Sequence, residues 1–135
     1  MSTSTMEEIV LWHATTFNDS WIQDVHSGNT RLWIELRHNA AEKARTALRK
    51  IAAQSEQEGI APIISALKES ADTLRNYRGS WCGAEICLRL AIQIWVLVKA
   101  VQDIEGEDAS NTLRHIAAMY TCPEITRFAG GEIVR

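Results

Sequence analysis

Apolar residues recur at threes and fours along most of the chain, the spacing that puts them on one face of an α-helix. Ser4 and Thr5, each with a glutamate three residues later (Glu7 and Glu8), form capping-box starts for a first helix. Its stripe runs Val10, Ala14, Phe17, Trp21 and Val25, and Ser27-Gly28-Asn29 supplies the stop. Asn29 or Thr30 caps a second helix continuing to about Glu58, with Trp33, Leu36, Ala40, Ala44, Ala47, Leu48 and Ile51 as its apolar side. After Gly59, Pro62 suits the first turn of a third helix. Ile60, Ile63, Leu67, Ala71 and Leu74 mark its buried side, and it ends near Tyr77 with Gly79 as terminator.

Ser80 opens a fourth helix that is apolar around most of its circumference, from Ile86 through Leu90, Ile94 and Leu97 to Val101. Such a helix belongs at the centre of a bundle or at a subunit interface. Glu85, Arg89, Gln93 and Lys99 interrupt it before a membrane-spanning length of clean apolar sequence accumulates. Glu85, Arg89 and Gln93 fall at i, i+4 and i+8, a polar seam in which Glu85 and Arg89 are placed to pair. The acidic stretch Asp103 to Asp108 reads as a loop, followed by a short helix with Leu113, Ile116, Ala117 and Tyr120 buried and a further turn or two from Pro123. The pattern predicts an all-α fold, an antiparallel four-helix bundle with one or two additional short C-terminal helices. It forms a single domain over 1–135, with about 1–5 and 129–135 as frayed ends.

Composition narrows the setting. A chain of 135 residues buries roughly two-thirds of its unfolded surface and needs no staples. The net charge of -3 provides no global basic field, so neither nucleic acid nor an anionic membrane is a favoured partner. The cysteines, Cys82, Cys87 and Cys122, are odd in number, and Met1 to Glu8 lacks an apolar signal region, which together read as a reducing, cytoplasmic setting. Cys82 and Cys87 point to different faces of a helix, so buried thiols are expected and not a metal clip.

Candidate chemistry is sparse. His13, His26, His38 and His115 show no ligand spacing with one another or with the cysteines, and no metal or cofactor site is expected. Five tryptophans are many for this length; most should be core, and Trp12, Trp81 and Trp95, with Arg89, are the candidate interface residues. Arg31, Glu35, His38, Glu42, Arg45 and Arg49 follow one another at alternating steps of four and three, a solvated face laced with ion pairs.

Within that face, Arg31 and His38 are separated by six residues, which resembles the loose Arg-x(4–6)-His motif of the HEPN family of helical ribonucleases. The resemblance implies a dimeric bundle in which a paired Arg and His attack RNA without metal. It covers about eight residues, and Leu32 stands where the family usually has a polar residue. Glu35 and Glu42 lie within a helical turn of these side chains and would repel phosphate, so the ion-pair reading is the expected one. Leu113 to Phe128 looks like a degraded helix-turn-helix, with Thr121 at the turn position usually filled by glycine and Arg127 where an apolar residue belongs.

The expectation from these features is a non-enzymatic protein-binding module acting as an oligomeric adaptor, inhibitor or immunity/antitoxin-type protein. The protein partner is of unknown identity, a homo-oligomer is expected, and the antitoxin analogy is one of class and not of motif. A HEPN-like ribonuclease or its inactive relative, with Arg31 and His38 as catalytic residues, is the alternative. A nucleic-acid-binding regulator comes third.

Overall fold

The computed structural model describes residues 5–17, 31–77 and 83–130, with side chains from residue 34 onward in the second of these segments. All regular structure in them is helical: α1 (Met6–Thr16), α2 (Arg31–Glu58), α3 (Ala61–Tyr77), α4 (Ala84–Glu105), a 3-10 turn (Gly106–Asp108), α5 (Ala109–Met119) and α6 (Pro123–Phe128). This is the predicted bundle with two short C-terminal helices. Trp21, Val25, the stop at 27–29, Ser80, Trp81 and Cys82 lie outside the described residues.

Local chemistry sets the helix ends. Thr5 caps α1, its Oγ1 accepting the Glu8 N–H at 3.1 Å, and Glu7 and Glu8 sit where the helix dipole favours negative charge. Gly59 ends α2 in the left-handed region at φ +76°, and its N–H donates to the Ser55 carbonyl. With only Gly59 and Ile60 between them, α2 and α3 must run antiparallel. The acidic stretch departs from expectation, because Asp103 to Glu105 continue α4 and Gly106, at φ +59°, closes it by donating to the Gln102 carbonyl. Ala129 departs likewise: it is buried, and its carbonyl accepts from Gln102 Nε2 at 3.2 Å, so the ordered chain reaches past the expected fraying point.

In the bundle α2 and α4 pack directly on each other, while α1 and α3 share few or no contacts. Ala40, Ala44 and Ala52 are all but fully buried on α2, and such short side chains let α2 approach α4 closely. The two helices therefore share a large interface, with α1 and α3 on either side of the pair. Around α4, α5 and α6 complete the cover, burying Leu113, Ile116, Ile125 and Phe128.

Leu88, Leu90, Ile92, Ile94, Val96, Leu97, Val98 and Val101 are all buried within the one chain. Each fully buried side chain of this kind contributes about 1.5–3 kcal/mol before entropy is counted. The apolar circumference of α4, which suggested a subunit interface, is thus covered internally. The short C-terminal helices supply cover that three long neighbours alone would not.

Candidate functional site: a groove between α2 and α3

Because α2 and α4 close on each other, α3 packs mainly on α4 and touches α2 less. A groove of about 910 Å³ opens along the α2–α3 seam, with α4 as its floor. Ala47, Ile51, Ala66 and Leu90 supply apolar lining, and the short side chains Thr46, Ser65 and Thr73 leave the slot unfilled. Lys50 and Glu69 line the groove from opposite helices without forming an ion pair, so no charge contact between them spans it.

The polar seam predicted on α4 lies along this groove, but its internal pairing differs from expectation. Glu85 pairs with Lys43 of α2 at 2.6 Å and not with Arg89. At the other end, Gln93 Nε2 donates to Ser70 Oγ of α3 at 3.2 Å, with both residues buried at 7% and 4% exposure. Each end of the seam is therefore spent on tying α4 to a neighbouring helix. Arg89, between them, lines the groove half-buried, and its Nε is buried without an acceptor. Leaving such a donor unsatisfied costs about 1–3 kcal/mol.

The other sequence-derived candidates are scattered. Trp12 is 63% exposed on α1 and helps to line a smaller hollow of about 330 Å³ with Glu8, Ile9 and Asp103. Trp95 is half-buried where α1 meets α4, edge-on to Phe17 at 5.6 Å and to His13 at 6.5 Å, with the Lys99 ammonium 5.7 Å from its ring. Beside it His13 Nε2 contacts the Asp103 carboxylate, tying α1 to the end of α4. Trp81 lies outside the described residues.

Arg31 and His38 both lie on α2; His38 is exposed, and the Arg31 side chain lies outside the description. The charged face containing them is solvated, but Glu42 pairs with neither His38 nor Arg45. Arg45 instead donates through Nε to the Ala14 carbonyl of α1 at 3.4 Å. The last turn of a helix leaves carbonyls without helical partners, which a long side chain can reach, and solvent screening leaves a surface carboxylate little hold on it. Among the described residues no group of three or more His, Cys, Asp and Glu is placed to hold a metal ion. No described helix is long and apolar enough to cross a membrane.

Sequence reasoning missed the α3 wall of the groove, Ser65, Ala66, Glu69, Ser70 and Thr73. The available signal was the run of short and polar residues Ser65, Ala66, Glu69 and Thr73 off the α3 face that bears Ile63, Leu67 and Leu74, with Ser70 at the edge of that face. Arg37 was also missed: it is buried on the α2 strip bearing Ala40 and Ala44, with Nη1 lacking an acceptor, but it lines neither hollow. No protein-family model matches the chain, and comparisons with curated proteins and with solved structures likewise give no match.

Proposed function

We propose that this protein is a non-enzymatic helical binding module of the adaptor or inhibitor kind, and that it receives a segment of a partner protein in the α2–α3 groove. The single observation carrying the proposal is the groove: an open slot of about 910 Å³ with an aliphatic lining and unpaired charges facing each other from its two walls. Helix-in-groove recognition uses this combination, with apolar anchors below and polar selection at the rim. A cytoplasmic setting, read from the cysteine usage, belongs to the same proposal. Burial of α4 does not require a homo-oligomer; one would have to use other apolar surface, such as Trp12, Ile34 and Met119.

Site-specific photocrosslinking in the source cells tests this reading. Crosslinkers replacing Gln54 or Ser65, exposed in the groove, should trap one and the same protein, whereas one replacing Arg49, exposed outside the groove, should not. Adducts that are equal at all three positions would contradict it.

A further inference from the structure

We infer that Arg89 is the residue through which the groove selects its occupant, and that the occupant is a protein segment carrying a carboxylate side chain that meets the Arg89 guanidinium. The inference rests on the groove reading and adds to it the chemistry of the ligand. Within reach on its own helix, the acid best placed to satisfy Arg89 is Glu85, four residues before it, but its Oε1 lies 2.6 Å from the Lys43 ammonium and makes no hydrogen bond, to Arg89 or to any other group. Gln93, one turn the other way, is committed to Ser70.

Among the described residues Arg89 consequently forms no ion pair, and its buried Nε has no acceptor. Glu69 and Glu58 line the same groove, but both are exposed at its walls, and neither forms an ion pair with Arg89. Lys50 is a second unpaired cation on the α2 side. Lys50 is exposed like the two acids, so the half-buried charge in the groove is that of Arg89, and the complement to a planar guanidinium in a partly dry site is a carboxylate. Glu58, at the end nearest the α2–α3 turn, sets the polarity: the occupant's acid lies over Arg89 and any basic residue toward Glu58.

The test is a selection from a displayed library of short α-helical peptides on the folded, full-length chain, followed by affinity measurements on the enriched sequences. Binders should carry Asp or Glu at one fixed position and lose binding to Ala66→Trp, which fills the groove. Changing that acid to its amide should weaken binding to the wild-type protein about tenfold to a hundredfold, the range for a hydrogen bond to a charged group. Against Arg89→Gln the same change should matter less than about twofold, since the coupling is lost.

Peptides that need the groove but show no acid preference would overturn the role of Arg89 and leave the groove reading standing. Failure to enrich any peptide sensitive to Ala66→Trp would overturn both. Should Arg89→Gln not fold, the comparison of acid and amide peptides on the wild-type chain still decides: equal affinities sink the inference.

Discussion

The Lys43 ammonium lies 2.6 Å from the Glu85 carboxylate and joins α2 to α4 beside the groove. Both side chains are more exposed than core groups, so the pair contributes little to stability, about 0.2–1 kcal/mol for such surface pairs. Its larger consequence is for Arg89, from which it withholds an acid. Lys43→Met should therefore change the urea midpoint only slightly while lowering affinity for an acidic groove peptide several-fold, because Glu85 becomes free to pair with Arg89. An unchanged affinity would mean that Glu85 does not compete for Arg89.

The Ser70–Gln93 hydrogen bond behaves differently, since it is buried. Ser70→Ala or Gln93→Leu alone leaves a polar group without its partner and should cost about 1–3 kcal/mol. The double variant should cost clearly less than the sum of the two, because no orphan remains. Urea unfolding of the four proteins in the cycle measures this, and strict additivity would show that the bond is not formed in solution.

Thr121 holds a left-handed backbone at φ +50° in the turn between α5 and α6. A β-branched residue is disfavoured there by about 1–2 kcal/mol, a cost that glycine escapes. Thr121→Gly should raise the melting temperature by a few degrees, read by thermal circular dichroism. A fall would show that contacts of the threonine side chain outweigh the strain.

Exposed His38 on α2, among acidic neighbours at Glu35 and Glu42, is expected to take no part in RNA cleavage. Purified protein incubated with a mixed RNA pool in EDTA should leave it intact. Cleavage that disappears in both Arg31→Ala and His38→Ala would make the ribonuclease reading the better one.

Much of the fold was legible in the sequence because periodicity and punctuation agree locally. Gly59, three residues before Pro62, marks the α2–α3 turn, the Val10–Ala14 spacing marks the buried face of α1, and the apolar girth of α4 marks its central place. Tertiary competition was not legible. Glu85 and Arg89 have the ideal spacing for a helical pair, yet an ammonium from another helix won the carboxylate. Ala47 and Ile51 share the periodic stripe with Ala44 and Leu48, but they are only half-buried and line the groove, whose existence depends on how far α3 stands from α2. No spacing along a single helix encodes that distance. The same limit hid the α3 wall, whose serines and threonine resemble ordinary solvated positions until α2 is placed opposite them.

Amide chemical-shift mapping of the isotopically labelled protein, titrated with an acidic helical peptide from the selection, tests the central claim most directly. The account predicts that the largest shifts fall on Ala47, Ile51, Ala66, Arg89 and Leu90, the two walls and the floor of the groove. Shifts centred instead on Trp12 and Asp103, around the smaller hollow, would contradict it.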